Sequence, residues 1–152
     1  MIPVFAIFAF TAQGLALGVD EFVFHRKRSL PLWERLGHPL DTLSVLLCLG
    51  ITLLFPAQSP WAGLYIGLAI FSCLLVTKDE WVHTELCQPL ENWLHAILFL
   101  LHPALLWAVY GLWQSGGNSS NLLLKTEALL CGIFMLYQLL YWNLPWRKNS
   151  LK

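Results

Sequence analysis

Residues 20–41 read DEFVFHRKRSLPLWERLGHPLD, and residues 79–95 read DEWVHTELCQPLENWLH. Both stretches contain an acidic pair, a histidine about one helical turn later, a proline, and a glutamate four residues before a second histidine. Together they hold eight of the nine acidic residues and four of the five histidines of the chain. These two polar stretches therefore contain most of the residues that could bind a metal ion.

The composition outside the polar stretches is typical of an integral membrane protein. Hydrophobic residues make up 57% of the chain, charged residues only 12%, and the mean hydropathy is +0.61. The net charge is zero, so no nucleic acid is expected as a partner. The four cysteines show no CxxC spacing, which favours small buried side chains over a disulfide framework. The chain of 152 residues is expected to form a single integral membrane domain over 1–152.

Five apolar runs, each near the ~20 residues that span a bilayer, predict five transmembrane helices. The polar stretches divide the chain into a first hairpin at about 2–56 and a repeat of it at about 60–113, followed by an extra helix at about 121–143. The expected fold is all-α, a polytopic membrane protein. Helices 1–4 form an antiparallel bundle of two repeated hairpins, with helix 5 as an addition outside it. The first run has no basic leader and no cleavage site, so we expect it to be retained.

The basic residues predict the orientation of these helices, because cytoplasmic loops are rich in lysine and arginine. With five spans, eight of the nine Lys and Arg residues fall on the side of the polar stretches and of the C-terminus, and only Lys125 falls opposite. The predicted N-terminus is therefore outside, and the C-terminus and the polar stretches are cytoplasmic. We expect the chain in a cell membrane, such as a bacterial inner membrane.

The spacing within the polar stretches predicts a metal site, since residues four apart on a helix share one face. Four carboxylate–histidine pairs have this spacing: Glu21/His25, Glu34/His38, Asp79/His83 and Glu91/His95. The helix ends that carry them lie on the same side of the membrane, so their side chains can converge at one depth. Asp41 extends the helix face of Glu34 and His38 by a further turn. Glu80, three residues before His83, can replace or supplement Asp79 as a ligand. The predicted ligands are Glu21, His25, Glu34, His38, Asp41, Asp79, Glu80, His83, Glu91 and His95. Asp20 and Glu85 are expected to be solvated or to contact ligands rather than the metal.

Carboxylates packed near the hydrocarbon boundary repel one another unless cations compensate them. One or two divalent metal ions are the simplest compensation, and mixed nitrogen and oxygen ligation suits iron, manganese or zinc. The expected cofactor is two iron ions, with zinc or manganese as alternatives. The rival interpretation is a polar collar without metal, in which the carboxylates pair with nearby Lys and Arg side chains. His102, seven residues after His95, is expected to be a hydrogen-bonded interior histidine, with a substrate or haem role as the alternative.

The predicted arrangement, in which helices of a four-helix bundle bring Glu and Glu-xxx-His side chains to one depth, resembles that of the ferritin-like di-iron carboxylate proteins. The resemblance is architectural and covers helices 1–4. It implies a binuclear metal site that activates oxygen to hydroxylate or desaturate a membrane lipid or other apolar molecule, supplied by an electron donor. The alternatives are a zinc-dependent membrane lipid hydrolase and a protein for transport, storage or sensing of a divalent metal. Association into a homo-oligomer is left open.

Overall fold

The computed structural model describes residues 1–27, 30–80 and 87–144. Within these ranges the chain is helical apart from short turns, and no strand is present. The five long helices are α1 Ile2–Val19, α2 Leu32–Leu54, α3 Trp61–Leu75, α4 Pro89–Ser115 and α5 Asn118–Asn143. The prediction of an all-α chain with five long apolar helices is confirmed.

Two of the helices continue into segments of different pitch. Helix α1 is followed by a π-helical segment, Asp20–Phe24, and by a 3-10 turn, His25–Lys27, and α3 is followed by a 3-10 turn, Val76–Asp79. With these extensions the chain has five helical stretches of 18 to 27 residues that are long and apolar enough to cross a membrane. The helices are thus compatible with a membrane protein, and their orientation stays a prediction.

Proline and glycine set several helix ends. Pro31 precedes α2 with a φ of −63°, the value that its ring imposes, and Pro89 is the first residue of α4, where a missing N–H is tolerated. Gly116 and Gly117 have φ values of 61° and 88°, which residues with a side chain rarely adopt. Because both are glycines, the chain reverses from α4 to α5 within these two residues.

The helices pack in an order that differs from two adjacent hairpins. Helix α1 packs mainly along α4, and α2 packs on α5 and on α3. Ile2 lies beside Gly111 at one end of the α1–α4 pair, and Asp20 lies beside His95 at the other, so the two helices are antiparallel. Helix α5 was expected outside a bundle of α1–α4. In the described part of the chain, its packing against α2 is instead the most extensive between any two helices.

Polar contacts explain the position of α5. Thr42 Oγ1 on α2 donates a hydrogen bond to Gln138 Oε1 on α5 at 2.9 Å. Tyr137 and Trp142 on α5 both donate to Glu21, which follows α1. Hydrogen bonds between polar side chains hold helices together where water is excluded, so these contacts fix α5 against α1 and α2. Helix α5 therefore contributes to the end of the molecule that carries the polar stretches.

The part of the molecule away from that end is a packed apolar core. Its fully buried side chains include Cys48, Leu49, Tyr65, Val109, Leu112 and Leu124. Polar atoms in this region find partners: Tyr65 donates to the carbonyl oxygen of Leu106 at 2.7 Å, and Trp113 Nε1 donates to that of Phe55 at 3.0 Å. Large apolar side chains also point outward, and Trp107 is 71% exposed. Such an apolar surface suits contact with lipid.

Candidate metal centre

The π-helical segment after α1 brings Asp20 and His25 together. The backbone N–H of His25 bonds to the carbonyl oxygens of Asp20 and Glu21, so this turn is wider than an α-helical turn. Residues five apart lie on different faces of an α-helix, but here they share one face. His25 Nε2 is 3.4 Å from Asp20 Oδ2. Asp20, which was expected to be solvated or to contact ligands rather than the metal, is buried and faces His25.

The first group of candidate ligands joins the extension of α1 to the first two turns of α4. Asp20, His25, Glu91 and His95 each offer one ligand atom, and these atoms lie within 4.8 Å of one another. His95 Nε2 is 3.0 Å from Asp20 Oδ1, and His25 Nε2 is 3.9 Å from Glu91 Oε1. All four residues are buried. Ligand atoms sit about 2 Å from a zinc ion and hence about 3–4 Å from one another, so these separations fit a metal site.

The second group adds two residues from the beginning of α2. His25, Glu34 and His38 also offer ligand atoms within 4.8 Å of one another. The imidazole rings of His25 and His38 stack, with their centroids 4.9 Å apart. Glu34 is fully buried and His38 is half-buried. Because His25 belongs to both groups, the two form one cluster of six residues, which we call the carboxylate–histidine cluster: Asp20, His25, Glu34, His38, Glu91 and His95.

Glu21 is buried next to this cluster but is bonded to α5. Its Oε1 accepts hydrogen bonds from Tyr137 Oη and Trp142 Nε1, both at 2.9 Å. Its Oε2 is 3.5 Å from His25 Nδ1. Hydrogen bonds to a carboxylate are strong and stabilise its negative charge. Glu21 was predicted to be a metal ligand, and among the described residues it lies outside both groups while contacting His25.

The other predicted ligands also lie outside the carboxylate–histidine cluster, as far as the structure describes them. Lys78 Nζ donates to both carboxylate oxygens of Asp41 at 2.7 Å. This ion pair links α2 to the turn after α3, as the polar-collar interpretation would have it for these two residues. Glu80 is exposed. His83 and the side chain of Asp79 fall outside the described residues.

Burial of several carboxylates at one end of the molecule requires compensation of their charge. Asp20, Glu21, Glu34 and Glu91 are all at most 5% exposed. Removing a carboxylate from water costs on the order of several kcal/mol even after relaxation, and neighbouring carboxylates repel one another. A coordinated divalent cation would offset both effects. The Asp, Glu and His side chains of the cluster could therefore hold a metal ion, and a donor set without thiolates fits iron, manganese or zinc.

An apolar cavity of about 380 Å³ opens beside the carboxylate–histidine cluster. Asp20, His38 and His95 form part of its wall. Most of the remaining lining is apolar and includes Phe10, Leu17, Val45, Leu98, Phe99 and Phe134. The volume is in the range of small-molecule sites. The carboxylate–histidine cluster and an apolar cavity thus share a boundary.

Two features of this site were missed from the sequence: Asp20 and the contribution of α5. Both Asp20 and Glu21 precede His25, but α-helical spacing predicts that Glu21 shares its face. No residue pattern in the sequence predicts the wider π-helical turn. Neither Tyr137 nor Trp142 was among the predicted site residues. The available signal was chemical, because a buried tyrosine hydroxyl or tryptophan N–H needs an acceptor, and Glu21 is the acceptor for both Tyr137 and Trp142.

Comparison of the chain with protein-family models, with curated proteins and with solved structures finds no match. The architectural resemblance to the ferritin-like proteins therefore stays a prediction.

Proposed function

We propose that this protein is a membrane-embedded metalloenzyme in which a two-metal carboxylate–histidine centre oxidises an apolar molecule held in the adjacent cavity. The proposal rests on the residues that the carboxylate–histidine cluster and the cavity wall have in common. Asp20, His38 and His95 are members of the metal-ligand cluster and also line the cavity. A molecule that fills the cavity would therefore contact the residues that bind the metal ions.

The residues of the carboxylate–histidine cluster would divide between two metal positions. Asp20, His25, Glu91 and His95 would hold one ion, and Glu34 and His38 would contribute to the other. When bound, two iron ions supply the redox chemistry that activates dioxygen. Glu21 would fix the orientation of the His25 ring through the contact at Nδ1, as residues behind metal-bound histidines commonly do.

The cavity wall favours oxidation as the reaction. Nine of the 22 residues that line the cavity are polar and the others are mainly apolar, so an apolar molecule can bind there and present C–H bonds to the cluster. Hydroxylation of a C–H bond by dioxygen inserts one oxygen atom and reduces the other to water, which consumes two electrons and two protons. The reaction therefore needs an electron donor as partner, and the apolar wall would keep water away from the reacting atoms.

The two alternative functions have less support from the geometry. Hydrolysis of a lipid head group needs a polar substrate at the membrane surface, whereas the cavity extends along the helices past His102 to Leu105. Transport of a metal ion needs a polar path through the molecule. Beyond the cavity the core is closed by buried side chains such as Tyr65, Val109 and Leu112.

Metal analysis of the detergent-purified protein tests the proposed function. Wild-type protein is expected to carry about two iron atoms per chain, the number of a di-iron carboxylate site. Glu34→Gln removes the charge of a buried member of the cluster and should lower this number, whereas Glu80→Gln alters an exposed carboxylate at the same end and should not. Wild-type protein without bound iron would overturn the proposal, and zinc in its place would point to hydrolysis.

Product analysis tests the reaction. Iron-loaded protein in lipid nanodiscs, supplied with n-dodecane, dioxygen and a chemical electron donor, is expected to form an alcohol that gas chromatography detects. Glu34→Gln should abolish the product. Iron-loaded wild-type protein that forms no oxidised product from any alkane of similar length would contradict the assignment as an oxidising enzyme.

A further inference from the structure

Polar side chains also line the cavity at a second level, farther along the helices from the carboxylate–histidine cluster. Gln13 on α1 and His102 on α4 both line it and are both at least nine-tenths buried. Gln13 precedes Asp20 by seven residues, and His102 follows His95 by seven. Seven residues are nearly two helical turns, so each residue faces the same side as its counterpart at a distance of about 10 Å. Because α1 and α4 are antiparallel and Asp20 meets His95, Gln13 and His102 lie at one depth.

A chain of hydrogen bonds behind His102 determines which of its ring nitrogens carries the proton. Ser44 Oγ donates its only proton to the carbonyl oxygen of Asp41 at 2.7 Å. The 2.6 Å bond between Ser44 and Ser72 must then be donated by Ser72. The 2.8 Å bond between Ser72 Oγ and His102 Nε2 must in turn be donated by the imidazole. Nδ1 of His102 is therefore the unprotonated nitrogen and a hydrogen-bond acceptor.

Both residues offer acceptor atoms to the cavity, which the Glu127 carboxyl and the Cys131 thiol also line. Gln13 Oε1 is buried and receives no hydrogen bond within the described part of the chain. Among the same residues, the only hydrogen bond of His102 is that of Nε2 to Ser72. Buried polar groups in proteins are almost always hydrogen-bonded, and exceptions call for an explanation. A ligand with a hydrogen-bond donor would satisfy this level of the cavity, whereas a pure hydrocarbon would leave it unsatisfied.

We propose that the cavity binds a long-chain alcohol, with its hydroxyl group at Gln13 and His102 and its hydrocarbon chain extending toward the carboxylate–histidine cluster. The hydroxyl donates to His102 Nδ1 or Gln13 Oε1 and can accept from the Gln13 amide. The site of reaction is then set by distance, about 10 Å along the chain from the hydroxyl. This inference deepens the proposed function by naming the substrate class, and it rests on that function only for the reaction and not for binding.

A competition between two isomers tests the inference. Purified protein in detergent is incubated with an equimolar mixture of 1-dodecanol and 1-methoxyundecane, which have the same atoms but differ in that the ether cannot donate a hydrogen bond. After size-exclusion chromatography the retained ratio is measured by gas chromatography and compared with that of empty micelles. Wild-type protein is expected to enrich the alcohol about five- to tenfold, the selectivity that one neutral hydrogen bond provides.

Variants locate the preference within the cavity. Gln13→Leu/His102→Leu removes both acceptors and should return the ratio to that of empty micelles, while Gln13→Met alone, close to the native shape, should lower it in part. Thr52→Val is the control, because Thr52 is buried away from the cavity and bonds only to its own helix. Equal retention of the two isomers by wild-type protein would overturn the inference, even if the variants failed to fold, and so would undiminished selectivity in the folded double variant.

The metal content of the same samples separates this inference from the proposed function. Enrichment of the alcohol by protein that binds no metal would contradict the proposed function and leave the inference standing. Two metal atoms per chain without enrichment would contradict the inference alone. Protein stripped of metal by a chelator should keep its preference for the alcohol, because neither Gln13 nor His102 belongs to the carboxylate–histidine cluster.

Discussion

At the scale of single residues, burial and partners distinguish acidic side chains that look equivalent in the sequence. Asp20 is buried against His25 and His95. Asp41 instead forms an ion pair with Lys78. Helical spacing selected Asp41 as a ligand and not Asp20, but their surroundings in the folded protein favour the reverse. Substitution of each carboxylate by the amide of the same shape tests this difference.

Asp20→Asn is expected to reduce metal binding, whereas Asp41→Asn is expected to leave it unchanged. The first removes a negative charge from the ligand cluster and should reduce bound metal at least tenfold, since each ligand contributes strongly to the binding free energy. The second breaks the pair with Lys78 and should leave the metal content near that of wild type. Mass spectrometry of the purified variants measures both, and equal metal loss in the two would contradict the assignment of Asp20.

Tyr137→Phe is expected to destabilise the protein without removing metal. The substitution deletes one of two hydrogen bonds to the buried Glu21 carboxylate, and a hydrogen bond to a charged group contributes about 1.5–3 kcal/mol. Tyr110→Phe is the control, because the Tyr110 ring packs on Tyr65 and Trp113 while no described residue bonds its hydroxyl. Thermal unfolding in detergent compares the two variants. A smaller loss for Tyr137→Phe than for Tyr110→Phe would show that the bond to Glu21 is unimportant.

At the scale of secondary structure, the π-helical segment after α1 is the element on which the site depends. A π turn holds one residue more than an α turn and commonly occurs as a single bulge at functional sites. It lets Asp20 and His25 share a face while Glu21 still contacts His25 from one side. An unbroken α-helix would instead direct Asp20 away from the histidine.

Deletion of Val23 tests the wider turn directly. Removal of one residue from a π bulge restores an α-helix and keeps Asp20 and His25 on one face, now four residues apart. The metal content should therefore be largely retained. Deletion of Leu36 from the regular helix α2 rotates Glu34 by about 100° relative to the rest of that helix and should abolish binding at the second position. Val23 and Leu36 are similarly exposed, at 41% and 47%. Similar metal loss in both deletions would mean that residues 20–25 form an ordinary α-helix.

At the scale of the whole molecule, two kinds of apolar surface have different consequences for stability. Leu112 is fully buried between helices, whereas Leu100, on the same helix α4, is 76% exposed. In a membrane the exposed leucine contacts lipid, which is as apolar as the protein interior. Only the buried leucine leaves an empty space when it is shortened.

Leu112→Ala is accordingly expected to lower the free energy of unfolding by about 2–5 kcal/mol, through lost contacts and the cavity left behind. Leu100→Ala should change it by less than about 0.5 kcal/mol, as substitutions away from the core usually do. The thermal midpoints of both variants in the same detergent measure the difference. Comparable destabilisation by the two would indicate that α4 does not pack in the way described.

The predicted ligands that the structure brings together in the cluster are those set by local geometry, and their binding of metal stays a prediction. Glu34 with His38, and Glu91 with His95, are four residues apart on regular helices, and both pairs join the cluster. The convergence of the helix ends followed from the number of apolar runs. Asp20 could not be recognised in this way, because its contribution depends on a change of helical pitch. The pair of Asp41 with Lys78 could not be distinguished from a ligand role, because it joins separate helical segments.

The sequence by itself determined that the chain is helical, that five helices are apolar enough to cross a membrane, and that potential metal ligands gather at one end. These properties follow from composition and from residue spacing, which act within one helix at a time. Only the tertiary structure decided which helices are neighbours, that α5 bonds Glu21 through Tyr137 and Trp142, and that an apolar cavity adjoins the cluster. Those properties depend on how apolar surfaces of similar composition fit together, and many pairings of five such helices satisfy the same hydrophobic pattern.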